Sequence, residues 1–395
     1  MSDVFLVSAV RTPIGRFGGS LKDHSSVDLA AVAMKAALER GGVSGADLDF
    51  YVFGNVLRAG QGQLVPRQAA IQAGIPNEVD GLQLDMVCSS GMMAVMNAAA
   101  LIKAGDADLI LAGGTESMTN TGFYVGSGAR WGFKYLGQPE AFTDVMQRDG
   151  LSDPFTGEAM GVQADRVAKE HGVAREDIDA VAAESHRRAA EAHAKGYFTD
   201  EIVPVEYRDR KETKTLVVDE GIREGTTAES LGALRPAFGK DGVLTAGSSS
   251  QISDGASAIL VASAEAVQKH GLTPIAKLSG GAWHAGEPWR FPEAPIPAAQ
   301  KLLGKLGLSV QDIDLFENNE AFALNNVLFT RMLGVSPDAL NVHGGAVALG
   351  HPIGASGARI VTTLAHALRT HGKQRGLAAI CHGTGGGTAV VIERV

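Results

Sequence analysis

The sequence predicts an α/β protein built from two duplicated halves. Residues 43–50 match residues 308–315 in their pattern of Ser, Asp and apolar side chains. Each match follows a helix-like segment and precedes a short apolar strand. Strands that alternate with helices are typical of α/β folds, so we expect two α/β halves with mostly parallel sheets.

The elements of each copy follow one another in the same order. In the first copy they are a helix (29–40), a strand leading to Gly54 and Asn55, a strand (81–87), a helix from about Ser89 or Ser90, and a strand ending at Gly113 and Gly114. In the second copy they are a helix (297–306), a strand leading to 318–320, a helix from Ser356, and a strand before the glycines at 383–387. Four matching elements in one order favour a duplicated domain over a chance match of eight residues.

The region between the copies has a different composition. It contains a stretch with Gly, Trp and Tyr (126–137), two helix-like segments (159–171 and 175–195) and a charged stretch (207–214). We interpret residues 121–247 as an insertion in the first half, which itself comprises 1–120 and 248–271, and we assign 272–395 to the second half. A second irregular stretch, 287–297, carries four prolines and is predicted to be a loop.

Composition narrows the classes of partner and compartment. The net charge of −9 is spread along the chain without a basic cluster, so we expect no nucleic-acid partner. No apolar run approaches the roughly 18 residues of a membrane span, and the N-terminus shows no secretory signal. Two cysteines cannot form a disulfide framework in a chain of 395 residues, which favours a reducing cytoplasm.

The only two cysteines each open a glycine-rich turn next to an apolar element. Cys88 stands where a strand is predicted to turn into a helix, and Cys381 closes an apolar run before the last glycine cluster. A helix N-terminus offers free N–H groups and a positive dipole end, which favour a thiolate nucleophile and can hold an oxyanion. The alternative is that both cysteines pack as small hydrophobic side chains.

A histidine in a glycine-rich loop is the second candidate for chemistry. His351 lies between Gly350 and Pro352, and the proline disfavours helical backbone at the histidine. A lone histidine is usually a plain surface or core residue, which is the alternative here, but one held in such a loop is suited to act as a general base. Asn319, after the strand of the second copy, is either catalytic or a polar helix cap. We expect no metal, because no CxxC, HExxH or clustered ligand set is present.

Together these segments resemble the thiolase family over essentially the whole chain. The resemblance is carried by residues 11–19, the Cys88 turn, residues 319–322, the His351 loop and the Cys381 turn. It implies a five-layer αβαβα sandwich made of two thiolase-like halves with an inserted loop domain, and a homodimer or homotetramer. Condensing synthases of the same superfamily generally lack the second cysteine, so Cys381 favours a thiolase proper.

The resemblance also implies a role for each matching residue. Cys88 would carry the acyl group as a thioester, and His351 would accept the proton of Cys88 and then help to bind a thioester oxygen. Asn319 would hold a water in that same oxyanion site. Cys381 would move a proton at the α-carbon of acetyl-CoA. The N–H groups of Cys88 and Gly383 would form a second oxyanion hole.

Contacts with coenzyme A (CoA) are implied less directly. The matching positions are Leu151, Met160, Arg223, Ser230, Phe238, Ala246, Ser250, Phe291, Ala321, Phe322 and Ile353. A solvated surface role for Arg223 and plain core roles for Met160 and Phe238 remain alternatives.

The chain departs from the family pattern at several of these positions. His382 and Thr384 flank Gly383 where bacterial relatives commonly have a glycine-rich Cys-x-Gly-Gly-Gly run, and Ala159 replaces a histidine. Phe291 occupies a position where acetoacetyl-CoA thiolases tend to carry Met, and its ring could shorten the acyl pocket or re-aim it.

We therefore expect a thiolase that interconverts two acetyl-CoA with acetoacetyl-CoA and CoA, reversibly and without a cofactor beyond its CoA substrates. One alternative is a 3-ketoacyl-CoA thiolase of fatty-acid β-oxidation with a longer acyl pocket. An alternative of another class is a non-catalytic CoA-binding scaffold subunit.

Overall fold

The computed structural model describes residues 3–132 and 142–395. The predicted Gly, Trp and Tyr stretch therefore falls partly outside the described residues, from position 133 onward. The strands are β1 (Val4–Arg11), β2 (Gly15–Arg16), β3 (Phe50–Gly54), β4 (Asp80–Leu84), β5 (Leu109–Ser117), β6 (Phe123–Tyr124), β7 (Thr143–Asp144), β8 (Val205–Asp209), β9 (Glu212–Leu216), β10 (Ser253–Ser263), β11 (Ala276–Ala285), β12 (Leu315–Asn318), β13 (Arg375–His382) and β14 (Gly386–Arg394). The helices are α1 (Ser26–Gly41), α2 (Val65–Gln72), α3 (Ser90–Ala104), α4 (Met160–Glu170), α5 (Arg175–Ala194), α6 (Ala228–Gly232), α7 (Ala264–His270), α8 (Pro295–Leu306), α9 (Ala323–Leu333), α10 (Ala346–Leu349) and α11 (Ile353–Thr370).

The two halves share one strand order, which confirms the predicted duplication. In the first half the order is β1-β10-β5-β3-β4, and in the second it is β11-β14-β13-β12. A parallel bridge from Phe316 to Leu340 stands where β4 stands in the first half. The half-sheets join where β1 pairs with β11, at Phe5 and Leu6.

The prediction of mostly parallel sheets is wrong. Among the described strands, β3 with β4, β3 with β5, and β12 with β13 are parallel, whereas the pairs through β10, β1, β11 and β14 are antiparallel. The closing strand of the second half follows β13 directly, through the short turn at residues 383–385. Strands joined by so short a turn can pair only in the antiparallel sense.

Five layers follow from how the helices pack. α3 and α11 pack against each other between the two half-sheets and contact strands of both. α1, α2 and α7 cover the outer face of the first half-sheet, and α8 and α9 cover that of the second. Because β5 and β10 are covered on both faces, every residue in them is buried.

The middle layer explains the apolar composition of α3. Residues Val87–Ala104 have a mean hydropathy of 1.4, enough by length and composition to cross a membrane, contrary to the expectation from the sequence. In the fold this segment packs against α11 and both half-sheets. A helix that is surrounded by protein is apolar on all sides, so its composition follows from its place in the core.

The inserted region leaves the sheet after β5 and returns at β10. It contains α4, α5, α6 and the β8–β9 hairpin, and α5 packs on α9 and α10 of the second half. The predicted loop at 287–297 is wrong, because Pro288–Glu293 forms a 3₁₀ helix and α8 begins at Pro295. Proline is favoured in the first turn of a helix, where its missing N–H is not needed.

Candidate active site

Cys88 stands in a strained turn between β4 and α3. β4 ends at Leu84 and not at Val87 as predicted, while α3 begins at Ser90 as predicted. Val87 has a φ of 50°, an uncommon conformation for a β-branched residue. The turn is held by Ser90 Oγ, which accepts the Met86 N–H at 2.8 Å and donates to the Val87 carbonyl at 2.6 Å. The strained backbone at Val87 fixes the direction in which the Cys88 side chain points.

Burial raises the pKa of the Cys88 thiol to about 12, and the backbone N–H groups of Gly383 and of Cys88 itself oppose this rise. They are the pair that the family resemblance assigns to an oxyanion hole. A Cβ on Gly383 would lie 3.8 Å from a Val87 methyl carbon, so the Gly383 backbone lies beside the Cys88 turn. The expectation of a thiolate at the helix N-terminus is therefore wrong for the free protein. The thiol needs a base before it can attack.

His351 has the tautomer that such a base requires. Its Nδ1 lies 2.5 Å from Ser356 Oγ, and that hydroxyl donates to the Pro352 carbonyl at 2.8 Å. The Ser356 hydroxyl has one proton, so Nδ1 must donate to it and Nε2 keeps a free lone pair. Burial lowers the pKa of His351 to about 3, so the ring is neutral. Sequence reasoning missed Ser356, which holds this tautomer.

Asn319 directs its side chain toward His351. Its Nδ2 lies 3.5 Å from His351 Nε2, and its buried Oδ1 has no hydrogen-bond partner among the described residues. The alternative of a helix cap does not hold. α9 begins at Ala323, and the Phe322 N–H that precedes it is bonded by Asn325 Oδ1 at 2.9 Å.

Cys381 is fully buried near the end of β13. Burial raises the pKa of its thiol, and the neighbouring Cys88 raises it further, so the two sulfurs lie within electrostatic reach. Asn325 Nδ2 lies 3.5 Å from the Cys381 sulfur and also donates to the Pro292 carbonyl at 3.0 Å. Asn325 is a second residue that sequence reasoning missed. Its place, one helical turn after the 319–322 motif, was the available signal.

Glycines allow the two halves to meet at this point. A Cβ on Gly91 would lie 2.7 Å from the Ala358 nitrogen, and one on Gly357 would lie 2.3 Å from the Met92 nitrogen. The first turns of α3 and α11 can therefore touch. This approach brings the Cys88 turn of one half beside the His351 loop of the other.

Apolar side chains surround the sulfur of Cys88. Leu151 and Ile353 pack in one cluster with Val87 and Cys88. A Cβ on Gly383 would lie 3.4 Å from the Met160 methyl carbon, which places Met160 over the oxyanion donor. These three predicted contact residues lie close to the thioester that Cys88 would form.

A group of aromatic rings extends from Cys381 toward the surface. Phe322 lies 6.2 Å from the buried Phe291 ring and 5.8 Å from Phe238, measured between centroids. Ser250 donates its N–H to the Ala321 carbonyl at 3.0 Å, which joins the segment before β10 to this group. Met160 and Phe238 pack against the core cluster that contains Phe291 and Phe322, so these predicted positions lie in one apolar region.

Three predicted contact residues lie outside this apolar region. Arg223, Ser230 and Ala246 are exposed on the inserted region. The Arg223 N–H donates to His186 Nδ1 at 3.1 Å, and Ser230 caps α6 with Thr227. Both hydrogen bonds are local to the inserted region.

Comparison with known proteins agrees with this arrangement. The family model for the thiolase N-terminal domain matches residues 4–265, and that for the thiolase C-terminal domain matches residues 272–394. An acetyl-CoA acetyltransferase of Synechocystis is 61% identical and one of Escherichia coli is 46% identical, each over 100% of both chains.

Two solved structures superpose on the chain with a TM-score of 0.97. The acetyl-CoA acetyltransferase of Bacillus anthracis is 37% identical and human mitochondrial 3-ketoacyl-CoA thiolase is 39% identical; each match covers 100% of this chain and 99% of the other. From its fold, its pair of cysteine turns and these matches, the chain belongs to the thiolase family.

Proposed function

We propose that this acyltransferase of the thiolase family interconverts two acetyl-CoA with acetoacetyl-CoA and CoA. The observation that carries the proposal is the meeting of three segments. Cys88 packs in one cluster with Ile353, two residues after His351, and a Cβ on Gly383, two residues after Cys381, would lie 3.8 Å from a Val87 methyl carbon. The curated relatives named above are acetyl-CoA acetyltransferases, which supports acetyl-CoA as the substrate.

The first step is acyl transfer to Cys88. His351 Nε2 accepts the thiol proton while the sulfur attacks the thioester carbonyl of acetyl-CoA. The N–H groups of Cys88 and Gly383 stabilise the tetrahedral oxyanion, and one such donor is worth about 3 kcal/mol. The carbon–sulfur bond to CoA then breaks, and the CoA thiolate leaves with the proton from His351. A neutral His351 is the protonation state that this step requires.

The second step forms the carbon–carbon bond. His351 Nε2 first accepts the proton of the Cys381 thiol, and the Cys381 thiolate then removes a proton from the α-carbon of a second acetyl-CoA. Asn319 and the Nε2–H of the protonated His351 stabilise the oxygen that gains enolate character. The carbanion attacks the acyl group on Cys88, and acetoacetyl-CoA and the free Cys88 thiolate result. Cys381 keeps the α-carbon proton as its thiol, and His351 returns its Nε2 proton to Cys88, so all three groups regain their starting protonation states. The reverse sequence is thiolysis, and no cofactor beyond CoA takes part.

A Cys381→Ala variant separates the two steps. We expect it to take up one radiolabelled acetyl group per chain from acetyl-CoA and to lose condensation by about 10³-fold or more, because its nucleophile is intact and its base is gone. A Cys88→Ala variant is the control and should take up no label. Equal labelling of both variants, or none in Cys381→Ala, would contradict the assignment.

The second candidate is a 3-ketoacyl-CoA thiolase with longer substrates. It is favoured by the match to the human mitochondrial 3-ketoacyl-CoA thiolase and by Phe291, whose buried ring borders Phe322. Thiolysis kcat/KM for acetoacetyl-CoA and for 3-ketooctanoyl-CoA decides between them. A preference of about tenfold for acetoacetyl-CoA supports the proposal. The opposite preference supports β-oxidation, and turnover of neither supports a scaffold subunit.

Assembly and location complete the proposal. The inserted region exposes Phe123, Trp131 and Phe142, and exposed aromatic side chains of this kind support a homodimer or homotetramer. Both cysteines are unpaired, which suits a reducing compartment such as the cytoplasm. Light scattering of the purified protein measures the number of chains in the assembly.

A further inference from the structure

The turn after Cys381 contains a histidine that neither proposed step uses. His382 Nδ1 lies 2.7 Å from the Gly383 carbonyl oxygen. Since a carbonyl can only accept, Nδ1 carries the proton and donates it. His382 is 7% exposed, so this hydrogen bond is protected from water. A buried side chain that binds the backbone of an oxyanion donor can control where that donor points.

The ring lies on the side of the sheet that faces the nucleophile. Leu377, Ala379 and Cys381 pack with the outer helices, whereas Ala378 and Ile380 pack with α3 and α11. Side chains alternate along a strand, so His382 lies on the α3 side. Gly386, its partner on β14, leaves space for the ring, because a Cβ there would lie 2.0 Å from His382 Nε2.

The His382–Gly383 hydrogen bond closes a loop of bonded atoms. The loop runs from the His382 side chain to the Gly383 carbonyl and back through the peptide bond that joins the two residues. That peptide carries the Gly383 N–H, and Gly383 lies beside the Cys88 turn, since a Cβ on it would be 3.8 Å from a Val87 methyl carbon. While Nδ1 holds the carbonyl, the peptide cannot rotate to aim its N–H elsewhere.

Backbone strain at Thr384, the residue after Gly383, makes such a restraint necessary. Thr384 has a φ of 71°, a left-handed conformation that costs a residue with a Cβ about 1–2 kcal/mol. Its hydroxyl also donates to the Gly383 carbonyl. A strained residue favours relaxation of the turn, and relaxation would move the neighbouring N–H.

We propose that His382 is a positioning residue that holds the Gly383 N–H on the Cys88 sulfur and on the oxyanion formed there. The inference rests on the proposed function, in which this N–H stabilises the tetrahedral intermediate. His382 then affects the rate of acyl transfer and not the binding of CoA.

The test compares His382→Ala with a rescue variant and a matched control. We expect His382→Ala to lower kcat for acetoacetyl-CoA thiolysis about tenfold, with KM for CoA changed less than about twofold, because a displaced donor weakens only the transition state. His382→Asn should recover most of the rate, since its amide nitrogen can take the place of Nδ1, and His382→Gln should not.

His366→Ala is the matched control. His366 is also 7% exposed and its Nε2 donates to a carbonyl, that of Ala9, at 2.9 Å. It should lose thermal stability as His382→Ala does and keep the wild-type kcat. Equal kcat in the two alanine variants, or His382→Asn no faster than His382→Gln, would overturn the inference.

Alkylation of Cys88 gives a readout that is independent of turnover. The Gly383 N–H lowers the pKa of the Cys88 thiol, so its loss should slow alkylation by iodoacetamide at fixed pH. We expect slower alkylation in His382→Ala and an unchanged rate in His366→Ala. If the wild-type protein shows no thiolysis while this difference persists, the proposed function is wrong and the positioning role stands. An unchanged alkylation rate in His382→Ala contradicts the positioning role.

Discussion

The two halves place asparagines at equivalent strand ends but use them differently. Asn55 follows β3, and its Nδ2 donates to the Thr115 carbonyl at 3.2 Å and to Glu116 Oε1 at 2.8 Å. Asn319 follows β12, and its amide has only the 3.5 Å approach to His351, with Oδ1 unpartnered. Asn55 holds neighbouring backbone in place, whereas Asn319 retains hydrogen-bonding groups that a ligand can use.

The ends of β5 and β13 show the same contrast. Glu116, near the end of β5, accepts N–H bonds from Val56, Leu57 and Gly354 at 3.0–3.2 Å, while burial raises its pKa to about 7. Gly354 belongs to the second half, so this carboxyl ties the halves together. Cys381, near the end of β13, has only the weak 3.5 Å contact from Asn325.

The helix starts complete the comparison. Ser90 holds the turn that presents Cys88, and Ser356 holds the tautomer of His351. The first half therefore supplies a nucleophile beside Asn55 and Glu116, whose hydrogen bonds are satisfied. The second half supplies Asn319, whose buried Oδ1 has no partner among the described residues. Buried polar atoms without partners are uncommon, and this one lies beside His351, where we expect substrate to bind.

Removing the nucleophile should have the largest effect. We expect Cys88→Ala to lower thiolysis kcat by on the order of 10⁴-fold or more, because no other group in the first half can take the acyl chain. The thermal transition should stay near that of the wild type, since the variant loses one sulfur atom and keeps the backbone and Cβ of the turn. Residual turnover above about 1% of the wild type would show that Cys88 is not the nucleophile.

The asparagine pair provides the next test. Asn319→Ala should lower kcat about 10²-fold, because it removes an oxyanion-site group, with little change in the free energy of unfolding. Asn55→Ala should lower the free energy of unfolding by about 1–3 kcal/mol, because Glu116 loses a buried donor. Kinetics and urea denaturation of both variants measure the contrast. If Asn55→Ala loses more kcat than Asn319→Ala, the division between the halves is wrong.

Loss of the Ser356 hydroxyl should have a smaller effect. In Ser356→Ala the Nδ1 proton of His351 loses its acceptor, so the ring no longer has one preferred tautomer. We expect kcat to fall about tenfold, since general-base catalysis contributes about 10²–10⁴-fold in total. Acylation of Cys88 by acetyl-CoA in stopped flow should slow by the same factor. Ser356→Thr keeps the hydroxyl and is the control that should retain the rate.

The pH dependence of activity should be the weakest effect. The pKa of His351 is lowered from 6.5 to about 3, so the ring stays neutral as pH falls through 6.5 and kcat should change less than about twofold between pH 8 and 6. In the unfolded chain the ring takes up its proton near pH 6.5, so the free energy of unfolding should fall from there toward pH 3. Burial also lowers the pKa of His186 and of His343, so these two residues likewise lower the free energy of unfolding as the pH falls. Loss of kcat with a midpoint near 6.5 would contradict the neutral base.

Much of the local structure was readable from the sequence. The duplicated order of elements, the start of α3 at Ser90 and the bounds of α4 and α5 follow from apolar periodicity and glycine positions, which act over a few residues. The choice of Cys88, His351, Asn319 and Cys381 as candidates also came from short motifs. Each such feature is set by neighbours along the chain.

The protonation states could not be read in this way. The helix start at Ser90 suggested a thiolate, yet the pKa of Cys88 is raised because side chains from several distant segments remove water from the sulfur. Desolvation is a sum over the packed structure, and no motif contains it.

The sequence by itself determined which groups could react, and the tertiary structure decided which of them meet. Cys88 and Gly383 are far apart along the chain and touch because small residues let α3 and α11 cross closely. The antiparallel pairing around β10 and β14 and the orientations set by Ser356 and His382 arise in the same way. Proximity and burial depend on contacts between both halves, and these exist only once the chain has folded.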